Sequence, residues 1–320
     1  LLLLGSLVCG AAIAHAVMPH VFRAFPLASI GVETAVSALR DEAAPDIVLF
    51  GSSITASGVD PQALSRGLSG NPRVYNLASP AQTLAESVLI GQDLPKSTRV
   101  VVQELSPWEL VTVNPFAPNK LNAYFSFGYQ PTERTIDILG EVFGESMVLT
   151  LRSSEAMHTF RSRWVVSRLL DASFWLNLNN QLEMEETLRD VSFFAAEQGR
   201  VDDRVMAILV SKWAGMFSDP KPEIFARKRR LMELTVGELG ISGRKVLVYV
   251  PPIHPQIRAR ISMPFSEWLD ALLETAREAG ADTINLAADE SESEFHDALH
   301  LSAAAAARTT QALARRLTSP

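Results

Sequence analysis

Five short apolar runs, separated by stretches with helical spacing, constrain this chain more than any other feature. They are Asp46–Phe50, Arg73–Leu77, Arg99–Glu104, Lys245–Val250 and Asp282–Leu286. Each is rich in Val, Ile or Leu and bounded by turn residues, the pattern of a strand buried on both faces. A helical pattern over Ala81–Leu94 follows the second run. Phe265, Trp268, Leu269, Leu272, Leu273 and Ala276 recur at helical spacing before the fifth, and Gly280 closes that helix. This alternation predicts an α/β fold, a three-layer, doubly wound sheet of about five parallel strands with helices on both faces. In such sheets ligands bind beyond the carboxyl ends of the strands. The chain has 320 residues, of which 47% are hydrophobic, enough for a full core.

The interval 115–240 separates the third and fourth strand runs and reads as a helical insertion. Thr132–Phe143, Arg161–Leu170, Val201–Met216 and Glu223–Leu239 carry apolar residues at helical spacing. Its aromatic residues Phe116, Tyr124, Phe125, Phe127 and Tyr129 offer either a substrate groove or ordinary core. Residues 1–22 form a separate segment, and 23–320 form the α/β domain. From Leu1 to Met18 there is no Lys, Arg, Asp or Glu. A stretch of that length can just span a bilayer. We read it as a membrane anchor or signal segment, with the remainder of the chain membrane-tethered and extracytoplasmic.

Charge and cysteine content exclude several classes of function. The net charge is −7, from 29 basic and 36 acidic residues, whereas nucleic-acid binding needs a basic face. The main basic cluster, Arg227-Lys228-Arg229-Arg230, lies in a helical pattern and is expected to be a solvated helix face. Cys9 is the sole cysteine, so neither an intrachain disulfide nor a cysteine metal cluster can form. His296 and His300 are four apart, but no HExxH glutamate lies between them, and no metal or cofactor is expected.

The chemistry lies in two strings far apart in sequence. Phe50-Gly51-Ser52-Ser53 ends the first strand run, and Asp297-Ala298-Leu299-His300 precedes a helical run beginning at Ser302. A serine hydroxyl becomes a useful nucleophile only when a base takes its proton as it attacks. Ser53 is placed at a strand-to-helix turn, and Gly51 permits a tight backbone approach there. Asp297 and His300, three apart, can bring a carboxylate and an imidazole to one side of a single turn, leaving the second ring nitrogen for the serine proton. His254, in Tyr249-Val250-Pro251-Pro252-Ile253-His254, would stand on the same rim at the end of the fourth strand. It could meet substrate or be purely structural.

On these residues the chain resembles the SGNH (GDSL-type) hydrolase superfamily, over about residues 45–110 and 244–316. Gly51-Ser52-Ser53 stands where the family has a Gly-Asp-Ser-like block, with Ser52 in place of aspartate. Asp297–His300 stands where the family has its C-terminal Asp-x-x-His. The resemblance implies Ser53 as nucleophile, His300 as base and Asp297 as the residue orienting it. The family's second block carries a glycine whose amide joins the oxyanion hole. Here that stretch is Asn76-Leu77-Ala78-Ser79-Pro80-Ala81, and the amides near Ser53 and Ala81 are the implied donors. The third block should supply an asparagine, but this chain has Glu104-Leu105-Ser106-Pro107-Trp108. Ala81, Ser106, Trp108 and His254 are therefore the oxyanion and substrate candidates.

These departures, with the apolar N-terminal segment, are similar to the membrane-anchored branch that serves polysaccharide O-acetylation and teichoic acid D-alanylation. That likeness implies a serine acyltransferase or esterase working on a polysaccharide or other glycan. It also implies an acyl donor delivered by a multi-spanning membrane acyltransferase. Two alternatives stand beside it. One is a catalytically impaired scaffold or glycan-binding subunit of an export complex, suggested by the missing asparagine. The other is a secreted lipase or carbohydrate esterase acting alone.

Overall fold

In a computed structural model, the described residues are 44–117, 120–126, 129–156, 199–218 and 221–319, with Ile13, Ala35 and Leu39. The anchor expected over 1–22, apart from Ile13, lies outside them, as do the helix expected over Arg161–Leu170 and Phe127. No helix among the described residues is long and apolar enough to cross a membrane.

The five apolar runs form one parallel sheet: β1 (Ile47–Phe50), β2 (Val74–Asn76), β3 (Val100–Glu104), β4 (Lys245–Val250) and β5 (Asp282–Asn285). Their spatial order is β2-β1-β3-β4-β5. Leu49 pairs with Asn76 on one side and Val102 on the other, and Val102 in turn with Leu247. Side chains on a strand alternate between faces, and in β1 to β4 both faces are largely buried. Val48, Phe50, Val101, Val246, Val248 and Val250 enter one core cluster with Leu84, Val88, Leu231 and Leu272. Ile47, Leu49, Val74, Val102, Leu247 and Tyr249 enter a second with Leu64 and Leu313. The inner strands β1, β3 and β4 are thus covered on both faces, which is why their runs are largely apolar, whereas the edge strand β5 (Asp-Thr-Ile-Asn) is only partly buried.

Helices α1 (Ser53–Gly58) and α2 (Pro61–Arg66) follow β1, and α3 (Leu84–Gly91) follows β2. The insertion contributes α4 (Lys120–Ser126), α5 (Glu133–Phe143), α6 (Glu145–Ala156), α7 (Asp203–Phe217) and α8 (Pro222–Leu239). After β4 come α9 (Pro255–Arg258) and α10 (Met263–Glu278), and α11 (Ala303–Thr318) ends the described chain. Gly280, with φ 98°, follows α10 in the left-handed region that a C-terminal stop requires. Helix α8 lies against α3, α5 and α10, so the insertion is packed onto the body of the fold.

Two expectations need correction. The helix after β2 starts at Leu84, not Ala81. Ala81 adopts φ 55°, and Thr83 caps the helix by accepting from the Glu86 amide. The basic cluster is only partly a solvated face. Arg229 and Arg230 are exposed, but Lys228 is fully buried and paired with Glu109.

Candidate active site

Ser53 is placed by the end of β1. The chain leaves the sheet at Gly51, Ser52 caps α1 by accepting from the Ile54 amide at 3.2 Å, and Ser53 is the first helical residue. The turn is held from behind by Glu104, the last residue of the neighbouring strand. Its Oε1 accepts from Ser52 Oγ at 2.8 Å. Its Oε2 accepts from the Ser52 amide at 2.8 Å, the Thr55 amide at 3.2 Å and the Thr55 hydroxyl. Thr55 Oγ1 also lies 2.6 Å from the Tyr249 hydroxyl on β4. Burial pushes the Glu104 carboxyl above its ordinary value, and the hydrogen bonds from Thr55 and Ser52 pull against it.

Gly51 is required at this turn. A Cβ there would stand 2.5 Å from Glu104 Oε2 and 2.7 Å from Glu104 Cβ, and nearer still to Thr55 Oγ1. Its amide donates to Gln82 Oε1 at 2.7 Å, and its carbonyl accepts from the Ser79 amide at 2.9 Å, which ties the Ser53 turn to the loop after β2.

Asp297 and His300 lie on a loop, not a helix. The loop is closed by an antiparallel bridge between Phe295 and Leu301 and by the His296 amide donating to the His300 carbonyl at 2.9 Å. Asp297 Oδ1 accepts from the amides of Leu299 (2.7 Å) and His300 (2.8 Å), and Oδ2 lies 2.9 Å from His300 Nδ1. Burial raises the Asp297 carboxyl. The His300 ring and the two amides outweigh it, and the group sits at about 2 instead of 3.8. His300 Nε2 is 2.9 Å from Ser53 Oγ, across 247 positions of sequence. With Nδ1–H directed at Asp297, Nε2 is free to accept the serine proton. The three residues singled out in sequence thus form one continuous hydrogen-bonded chain. His296, the other histidine of the loop, instead turns to the Gly199 carbonyl at 3.0 Å.

Ser53 and His300 open onto a cavity of about 410 Å³. Ala81, Ser106, Trp108 and His254 all line it. Ala81 is reached through its left-handed backbone, the conformation glycine adopts without cost. Among the described residues the amides of Ser53 and Ala81 meet no protein acceptor. Ser106 caps the 3₁₀ turn Pro107–Leu110, its Oγ accepting from the Trp108 amide at 3.3 Å, which leaves the hydroxyl proton for another acceptor. His254 is nearly fully buried. Its Nδ1 accepts from the Gln256 amide at 3.3 Å, capping α9, and its ring stands edge-on to Phe295. Burial lowers its imidazole below the ordinary value, against the pull of Glu292. A neutral structural cap accounts for those contacts.

The aromatic residues Phe116, Tyr124, Phe125 and Tyr129 are core and do not line the cavity. Its aromatic wall comes from Trp108, Trp213 and Phe217 instead. Trp213 meets Trp108 edge-on at 5.7 Å and stacks on Phe217 at 6.0 Å. Both lie on α7 of the insertion, and nothing local in the sequence distinguishes them from core positions. Glu104 was also missed as a site residue. Its signal is a carboxylate closing the buried strand run that begins Val100-Val101-Val102, where a buried set of donors is needed to keep it. Beside the loop carrying Ala81, a second buried set joins Lys120 Nζ to Glu86 (3.0 and 3.1 Å) and Ser79 Oγ (2.6 Å). Tyr124 donates to the same Glu86 at 2.6 Å.

Comparison with known proteins adds no name to this geometry: neither the protein-family models nor the curated proteins give a match.

Proposed function

We propose that this protein is a serine esterase or acyltransferase of SGNH type that works through an acyl-serine intermediate. One observation carries the reading, the chain from Ser53 Oγ to His300 Nε2 and from His300 Nδ1 to Asp297, open to a cavity at the carboxyl ends of β1 and β4. The parallel sheet with helices against both faces supports the likeness to SGNH hydrolases, as does the order of nucleophile after the first strand and Asp-x-x-His after the last.

In the proposed reaction Ser53 Oγ attacks the carbonyl carbon of an ester while its proton passes to His300 Nε2. Asp297 holds the ring in the correct tautomer and stabilises the imidazolium. The Ser53 and Ala81 amides and the Ser106 hydroxyl supply donors for the oxyanion, Ser106 standing in for the missing asparagine. The bond to the leaving oxygen then breaks, and that oxygen takes the proton from His300. Water or a sugar hydroxyl resolves the ester by the same steps in reverse. The resemblance stated above extends the proposal to a membrane-tethered, extracytoplasmic enzyme with a glycan acceptor and a membrane acyltransferase as donor partner.

A fluorophosphonate probe tests the reading. We expect covalent labelling of the wild-type protein and none of Ser53→Ala, with circular dichroism unchanged. A wild-type protein that resists the probe would leave the scaffold alternative in place.

A further inference from the structure

The walls of the cavity bear on which acyl group it takes. Trp108, Trp213, Phe217, Ile253, Ile257 and Leu299 surround the space beyond Ser53, and no Asp, Glu, Lys or Arg lines it among the described residues. The polar groups that do line it are few. Among the described residues the Ser53 and Ala81 amides, the Ser106 hydroxyl proton and the buried His254 Nε2 meet no protein partner, and the others are engaged. Ser52 Oγ is committed to Glu104, His254 Nδ1 to the Gln256 amide, and Ser53 and His300 to each other. A sugar ring seated there would lose water from several hydroxyls and find few partners, at a cost for each. An acetyl group would leave most of about 410 Å³ unfilled, with the aromatic wall in contact with nothing. An apolar chain satisfies both conditions. It needs no hydrogen-bond partners and removes the indole and phenyl faces from water.

We propose that the acyl group carried by Ser53 is a medium-length alkyl or aryl chain, and that α7 of the insertion supplies the wall that selects it. This deepens the acyl-serine reading and rests on it. The acceptor, whether glycan or water, approaches from outside this cavity, while the chain lies within it.

The test uses the full chain and p-nitrophenyl acetate, butyrate, hexanoate and octanoate. We expect kcat/KM to rise by about fourfold for each added methylene, the rate equivalent of burying one CH₂, until the cavity is full. In parallel, a fluorophosphonate bearing an octyl chain should label Ser53 faster than one bearing a methyl group. Trp213→Ala should narrow the octanoate-to-acetate ratio by about tenfold or more. Since Trp213 is only partly buried, this variant is suited to folding, and the two probes need no variant at all. A flat or falling profile with acetate best, while the small probe still labels Ser53, overturns the chain-length proposal and leaves the serine reading intact. No labelling by either probe overturns the serine reading, and this proposal with it.

Discussion

At the scale of single residues, the turn that carries Ser53, the proposed nucleophile, is defined by what stands behind it. Glu104 accepts four hydrogen bonds from Ser52 and Thr55, and it is 2% exposed. Each buried donor left without a partner costs about 1–3 kcal/mol. Glu104→Ala should therefore unfold the protein or cost it several kcal/mol, as measured by denaturant titration. Glu104→Gln is the informative variant. Its amide oxygen can keep the three donors that now meet Oε2, while Ser52 Oγ must turn to accept. We expect Glu104→Gln to fold and to lower kcat for ester hydrolysis about tenfold with KM little changed, because Ser53 shifts and the cavity does not. Wild-type kcat in Glu104→Gln would mean that the carboxylate does not position the nucleophile. Ser53, Asp297 and His300 were legible in sequence because Ser53 closely follows the first strand run and a carboxylate and an imidazole three apart follow the last. Glu104 was not, because its donors, Ser52 and Thr55, belong to the turn after β1 and the start of α1, and only strand order brings those beside the end of β3.

At the scale of elements, the strands were legible to within about one residue at each end, since burial on both faces keeps β1, β3 and β4 largely apolar and turn residues bound each run. Helix ends were less so. The apolar pattern over Ala81–Leu94 continues through a loop that is not helical, because the backbone at Ala81 turns to φ 55° and Thr83 takes over as cap. That turn keeps the loop shape that a glycine gives for nothing. An L-residue in the left-handed region costs about 1–2 kcal/mol relative to glycine. Ala81→Gly should therefore raise stability by about 1 kcal/mol, read as a higher denaturant midpoint at constant slope, part of the gain being lost to the freer unfolded chain. A lower midpoint would show that the Ala81 methyl contributes more to the cavity wall than its backbone strain costs. The Asp297–His300 stretch was legible as a pair but not as a backbone type. Its spacing fits one turn of either loop or helix, and the backbone is a bridged loop.

At the scale of the whole molecule, one buried ion pair joins the insertion to both sides of the candidate site. Lys228 on α8 is fully buried against Glu109, in the same 3₁₀ turn as Trp108. The other oxygen of Glu109 accepts from the Leu84 amide at 2.7 Å, at the start of the helix that follows the Ala81 loop. A single carboxylate thus fixes the insertion, one aromatic wall and the loop carrying Ala81 in one arrangement. The run Arg227-Lys228-Arg229-Arg230 gave no hint of this, because one inward position in a basic stretch shows only once a facing acid is known. Forming such a pair gains little net stability, since both ions lose hydration. Breaking it by removing one partner typically costs about 3–5 kcal/mol, because a charge is left buried. Lys228→Met should therefore destabilise the protein by about that amount in urea titration. The double variant Lys228→Met/Glu109→Gln should recover part of the loss, because glutamine still accepts from the Leu84 amide and carries no charge. Equal stability of the single and double variants would contradict this account, since it would mean that an uncompensated Glu109 charge costs nothing. Recovery of stability without recovery of octanoate hydrolysis would be the more telling result. It would separate the pair's contribution to folding from its part in holding Trp108 against the wall formed by Trp213.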